Sequence, residues 1–287
     1  MHQNSRNRIL FTALLLSLAV CFLLNISLGS VHIPIEDIAS SLSGGQASKN
    51  SWEIIIWNYR LPKALTAILV GMGLSISGLL MQTLFRNPLA GPDVLGLSSG
   101  ASMGVAFVIL GAGLLPPFLS SFFLSPYGIV LASCIGSLIV LAAVLVVSQK
   151  LRNTMAILIV GLMFGSFTNA IIGVLSYFST AEELQKFTFW SLGSLGNQPW
   201  SNILVLSICC CIGLLLSALC IKPLNALLLG ERYAKSLGIN FKKTRLAIIL
   251  ATSLLAGSIT AFAGPIAFIG LAVPHIAKTV SYTHLRA

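Results

Sequence analysis

Apolar runs of about twenty residues recur along this chain, and they fix most of what it can become. The first is Ile9 to Leu28. A hydrocarbon core about 30 Å thick is crossed by about 20 residues of helix. Inside it only helices or closed barrels satisfy their own backbone hydrogen bonds. Further runs follow at Ala64 to Met81, Val94 to Leu115, Gly128 to Ser148, Met155 to Tyr177, Ile203 to Ile221 and Leu246 to Phe262. An eighth, Ala263 to Lys278, is broken by glycine and proline. The expected fold is an all-α polytopic membrane protein with about eight spans, a single transmembrane domain over residues 1–287.

Charge supports this. Only 8% of the residues are charged, where a soluble domain carries about a quarter. The net charge of +10 could suggest nucleic acid, but the basic residues are dispersed between apolar spans. Ile9 to Leu28 lacks a clear small-residue cleavage site and is read as the first membrane helix, with its N-terminus inside. Segments then expected on the inner side hold Arg6, Arg8, Arg86, Lys150, Arg152, Lys222, Arg232, Lys235, Lys242, Lys243 and Arg245. Outer segments hold only Lys49, Arg60, Lys63 and Lys186. That bias follows the positive-inside rule. Cys21, Cys134, Cys209, Cys210, Cys211 and Cys220 all lie in apolar runs without a CxxC pair, and read as small packing residues.

Between the spans, residues 33–39 and 52–58 are expected to form short surface helices. Ser179 to Asn202 is a longer outer segment. Gln82 to Pro92, QTLFRNPLAGP, cannot continue a straight helix. Gly96, Gly100 and Gly104 imply either close helix packing or unwound backbone lining a cavity. Gly71, Ser75 and Gly78 would let helices approach closely.

Lys222 to Arg245 is the longest polar interruption in the second half. Pro223 suits the first turn of a short helix, which Gly230 would end. Glu231 would open a second helix, running to Leu237 and capped by Gly238. Two helices this short need something to lie against. They are either a cap on their own bundle or a docking knob for another protein.

The chemistry absent from the sequence is equally informative. There is no GxxxxGK[ST] and no HExxH, and no carboxylate pair lies within a span. Asp93 is the only acid near the membrane interior and sits at a span's edge. Ion-coupled carriers usually place ionisable groups mid-membrane. His275, between Pro274 and Ile276, reads first as structural. A permease powered by a separate motor fits this pattern; a stand-alone secondary carrier or channel is the competing reading.

Several stretches resemble the FecCD/BtuC-like family of bacterial ABC importer permeases. They are RLPK at 60–63, G-x(6)-G-x(3)-Q at 71–82, RNPLAGP at 86–92, LGLSSGA at 95–101, LNALLLGERYAKSLG at 224–238 and AGPIAFIGLAVPHIAK at 263–278. The resemblance implies ten spans per subunit, a translocation path along a dimer axis, and cargo such as iron-siderophore, heme or cobalamin. It places ATPase coupling on Leu224, Asn225, Leu228, Gly230, Glu231, Tyr233, Ala234, Leu237 and Gly238. It places docking of a periplasmic or lipid-anchored substrate-binding protein on Arg60 and Lys63, the latter lacking an arginine's bidentate fork. Path and packing roles fall to Gln82, Asn87, Pro88, Gly96, Gly100, Gly264, Pro265, Pro274 and His275. Expected partners are a second or paralogous permease, two cytoplasmic ATPase subunits and membrane lipid, with no nucleic acid. The chain itself is expected to bind no cofactor or metal, since ATP and Mg belong to the ATPase. The expected location is the bacterial inner membrane. The family continues for two more spans, and residues 281–287 look unlike it, so a truncated end is expected.

Overall fold

The computed structural model describes residues 2–114, 116–148, 154–196, 198–229 and 236–282, and among these it is helical without a strand. In chain order come α1 (His2–Ser27), α2 (Ile35–Leu42), α3 (Asn50–Ile55), α4 (Leu61–Phe85) and α5 (Leu97–Ile109). Then follow α6 (Pro117–Phe123), α7 (Pro126–Ser148), α8 (Thr154–Phe178) and α9 (Ala181–Ser191). The last are α10 (Trp200–Leu219), α11 (Ile221–Leu228), α12 (Phe241–Ala263) and α13 (Ile269–Tyr282). Among the described residues, six helical stretches are long and apolar enough to cross a membrane. The third and eighth apolar runs form the shorter helices α5 and α13. The thirteen residues of α5 reach only about 20 Å, less than the full span the sequence suggests.

Two further boundaries differ from expectation. Asn50–Phe85 is one helical stretch of 36 residues, not a surface helix followed by a separate span. Pro62 has no N–H for a regular helical bond, and a π turn at Ile56–Arg60 just before it absorbs the irregularity. At the other end α12 starts at Phe241, so Lys242, Lys243 and Arg245 belong to its first turns and not to a loop. The Asn240 side chain sets that start by accepting from the Lys243 N–H at 3.2 Å.

The chain divides into two units, residues 1–68 with 195–203, and residues 69–194 with 204–287. In the first, Ile26, Ile33, Ile38 and Ile56 form a small core. Most of α1 is apolar all round and bare, with Leu14 and Leu16 each 68% exposed, as a lipid-facing helix is. Trp57 donates to Ser41 Oγ at 3.0 Å, and Trp200 donates to the Trp57 carbonyl at 3.1 Å.

In the second unit α5 is central, packed on α7, α8 and α12. Small residues make this possible. A β-carbon on Gly104 would fall 2.0 Å from the Ala132 carbonyl oxygen, and one on Gly100 2.5 Å from that of Gly136. Of the two readings of this glycine series, close packing is what these two residues do. Gly96 sits at φ 79° just before α5, a left-handed conformation that glycine adopts freely. On the α7–α12 seam, Ser133 donates to the Gly257 carbonyl at 2.7 Å. Cys210 and Cys220 are buried, but Cys21 and Cys211 are exposed on their helices, so packing does not describe all six.

Candidate functional site

The second unit brings together three blocks far apart in sequence: the C-terminal half of α4, the helix α11, and α13. They border an open groove of about 650 Å³, with Thr83, Leu224, Asn225, Leu228, Pro274 and Lys278 among its lining residues. The wall is mainly apolar.

α11 forms because an amphipathic octet follows a turn at Cys220, where the Leu224 N–H donates to the Cys220 carbonyl at 2.8 Å. Leu224, Ala226 and Leu227 are buried beneath it. Asn225 and Leu228 point out, Leu228 being 57% exposed. One face therefore rests on its own unit while the other stays open. The helix begins at Ile221 and ends at Leu228, ahead of the expected stop at Gly230. Gly230, Glu231, Tyr233 and Ala234 lie outside the described residues, as does most of the expected second short helix. Leu237 is exposed, and Gly238 adopts φ 77°, a left-handed turn before α12.

Arg86 fixes the far end of α11 by donating from its guanidinium to the Leu227 carbonyl. That carbonyl is among the last of the helix, where regular intrahelical donors run out and, among the described residues, only the Leu229 N–H turns back on it, and a cation there complements the dipole's negative end. Gln82 is almost fully buried. Its Nε2 donates to the Leu271 carbonyl at 3.0 Å, and its Oε1 accepts from Lys278 Nζ at 3.1 Å. α4 and α13 are thus pinned to one another at two successive levels. Asn87 is also buried: its side-chain oxygen accepts from the Leu89 N–H at 2.9 Å, the side-chain turn that lets this chain reverse. Pro88 beside it is exposed.

The connection from α12 to α13 is irregular and tightly held. Gly264 has φ 73° and ψ −177°, a region open essentially to glycine alone. A β-carbon on it would lie 2.6 Å from the Trp190 carbonyl oxygen. Trp190 Nε1 donates to the Ala261 carbonyl at 2.9 Å, and the Ser194 N–H donates to the Ala263 carbonyl at 2.8 Å. Phe268 carries φ 69°, and its N–H donates to Asp93 Oδ2 at 3.1 Å. The other carboxylate oxygen accepts from the Ser98 hydroxyl. Pro265 and His275 are exposed, and Pro274 is buried inside α13.

In the first unit Arg60 is only 8% exposed. Its guanidinium donates to the carbonyls of Ser27 at 2.8 Å, of Ile26 and of Val31, closing the end of α1. Lys63 is exposed. Sequence reasoning assigned no role to Arg86, Lys278 or Trp190 and saw Asp93 only as a charge at a span's edge. Their partners lie up to 196 residues away in the chain, and no local pattern reveals them. No group of three metal-ligating side chains occurs among the described residues.

A multi-pass helical membrane protein with a pinned, glycine-packed interior is the class this architecture defines. The FecCD transport family model matches residues 17–287. The hemin transport system permease protein HmuU of Yersinia pestis is 35% identical over 266 residues, covering 92% of this chain and 78% of the relative. The vitamin B12 import system permease protein BtuC of Klebsiella pneumoniae is 34% identical, covering 96% and 78%. A solved structure described as an inward-facing conformation of a metal-chelate type ABC transporter superposes with TM-score 0.74 at 28% identity, covering 96% of this chain and 82% of that one. The chain belongs to the FecCD transport family and is an ABC-type permease, a transport subunit with membrane-spanning helices.

Proposed function

We propose that this chain is the membrane-spanning subunit of a bacterial ABC importer that moves an iron-siderophore, heme or cobalamin complex into the cytoplasm. ATP is hydrolysed by a separate ATPase that docks on α11 and the residues that follow it. The relatives' roles in hemin and vitamin B12 transport support this cargo class, with iron-siderophore preferred. The N-terminus is cytoplasmic and the protein sits in the cell membrane, as the basic bias supports. A second copy or a paralogous permease completes the path, and a substrate-binding protein docks outside. In that docking Lys63 offers the open charge while Arg60 organises the backbone beneath it; such rim charges set encounter rate and orientation.

The observation that carries the reading is α11, whose inner face is buried on its own unit while Asn225 and Leu228 remain open beside the groove. A motor moving this helix also moves Arg86 and the end of α4. The test is co-purification of the partner ATPase with the Leu228→Asp variant. The proposal expects loss of the ATPase from the complex while the permease itself remains folded. Undiminished ATPase binding and undiminished ATP-driven uptake contradict the docking assignment.

A further inference from the structure

The α5–α8 interface leaves a gap between two contacts. One is at Gly161 and Gly165; at the other Ile172 and Leu175 pack on residues 105–110 at the end of α5, and the Ser179 hydroxyl donates to the Leu110 carbonyl at 3.2 Å. Gly161 and Gly165 bring α8 onto α5: a β-carbon would fall 2.6 Å from the Val94 carbonyl oxygen at the first, and 3.3 Å from Ser99 Oγ at the second. The next positions on that face are Asn169 and Gly173, and a β-carbon on Gly173 would meet nothing within 4 Å. In the gap between these contacts lies a cavity of about 240 Å³, bordered by Ser99 and Ser102 of α5, Asn169 of α8, Trp190 of α9, and Pro265 of the α12–α13 connection.

The Ser99 and Ser102 hydroxyls and the Asn169 carboxamide have no hydrogen-bond partner among the described residues. Asn169 is near the middle of the apolar span Leu158–Phe178, about 15 Å from either end. Polar groups at that depth are unfavourable unless something satisfies them. Water or a solute must therefore reach them. The space would hold about eight waters.

The chemistry of the lining selects the ligand. The remaining polar side chains nearby are occupied, Ser98 by Asp93 and Ser191 by the Thr188 carbonyl. Phe187 and Trp190 form a stacked aromatic wall, with centroids 5.5 Å apart. The open groups are two hydroxyls and one neutral amide, which donate and accept but carry no charge. We propose that Ser99, Ser102 and Asn169 form a hydrated subsite midway along the span that takes neutral hydroxyl or amide groups of the transported solute. It rests on the permease reading above and adds the residues that touch cargo.

The test uses the full chain in proteoliposomes with its ATPase and binding protein. Asn169→Cys should react with a membrane-impermeant thiosulfonate about tenfold or more faster than Met163→Cys, a bare position on the same helix. Asn169→Leu should raise the KM for ferrichrome or cobalamin, whichever the wild type takes up, by about fivefold, the loss of one hydrogen bond. Asn169→Gln should recover part of it, and basal ATP hydrolysis should stay unchanged. Equal labelling at positions 169 and 163 overturns the hydrated pocket. Fast labelling with unchanged KM overturns the contact with cargo. A wild type that takes up only hemin, which carries carboxylates and no hydroxyl or amide, overturns the assigned cargo chemistry. If the wild type takes up none of the three solutes, the permease reading falls and the cargo contact with it, while the labelling still decides whether the pocket is wet.

Discussion

A β-carbon added to Gly78 would lie 1.6 Å from the carbonyl oxygen of Gly270. α4 and α13 therefore meet backbone to backbone. Pro274, four residues after Gly270, has no N–H to give that carbonyl. The oxygen is left to face Gly78, in the kind of close approach where weak Cα–H···O contacts form. One turn further along α4, Gln82 is carried into line with Leu271 and Lys278. A steric contact thus sets the register of a polar one.

Gly78→Ala should destabilise the protein by about 1–3 kcal/mol or more, the usual consequence of overfilling a packed interior. Gly71→Ala on the same helix, where a β-carbon meets nothing within 4 Å, should be neutral or stabilising by up to about 1 kcal/mol. Thermal unfolding of both variants in detergent checks the contrast. Equal loss in the two would remove the Gly78–Gly270 contact from the account.

Asp93→Ala should release Phe268 from its left-handed conformation. The exposed ring, 76% accessible, does not hold that φ; the carboxylate bonded to its N–H does. Loss of a charge-assisted acceptor is expected to cost about 1.5–3 kcal/mol. Hydrogen exchange at the Phe268 amide should accelerate markedly, and Ser98→Ala should show a smaller effect. Protection unchanged at Phe268 would contradict the clamp.

The start of α9 should weaken in acid. The Thr180 N–H, bonded to Glu183 Oε2 at 2.9 Å, is the main reason this carboxyl titrates below its ordinary range; the Thr180 hydroxyl, the Gly113 N–H and Lys186 add to it. A carboxyl lowered in the folded state contributes stability above its unfolded value of about 4.3. That contribution fades as pH falls through the lower native value. Amide exchange over residues 180–184, followed from about pH 6 to about pH 3, should show the loss, and Glu183→Gln should flatten it. Thr180→Ala should loosen the same turn by about 1 kcal/mol.

Arg86→Ala should fray α11, because the guanidinium caps the Leu227 carbonyl at its C-terminal end. Arg86→Lys should restore little of the order, since an ammonium does not reproduce the guanidinium's rigid fork. Exchange at Leu227 and Leu228 reads this directly. Wild-type protection in Arg86→Ala would leave α11 dependent on its buried face alone.

Much of the fold was legible because span length and hydropathy are properties of contiguous residues. The eight apolar runs correspond to helices, with ends displaced by a few residues where a cap or a π turn decides. The shortness of α5 was less visible, since Val94 to Leu115 carries no charge and only the left-handed Gly96 marks the start of its helix. The capping box of α9 is present in the sequence as Thr180 and Glu183, within a stretch described above only as a longer outer segment. The site was legible as blocks and not as contacts. Gln82, Asn87 and Gly264 stood out, whereas Arg86, Asp93 and Lys278 acquire meaning only from carbonyls and amides supplied by distant helices. Arg60 looked like an outward charge and is instead closed around the end of α1.

The central claim is that the energy for transport enters from a separate ATPase gripping α11. Uptake of labelled ferrichrome, hemin and cobalamin into sealed proteoliposomes, with the binding protein present and with or without the ATPase and ATP, tests it most directly. Accumulation of one of these cargoes only when ATPase and ATP are both present is the expected result. Accumulation against a gradient by the permease alone, without nucleotide, would contradict it.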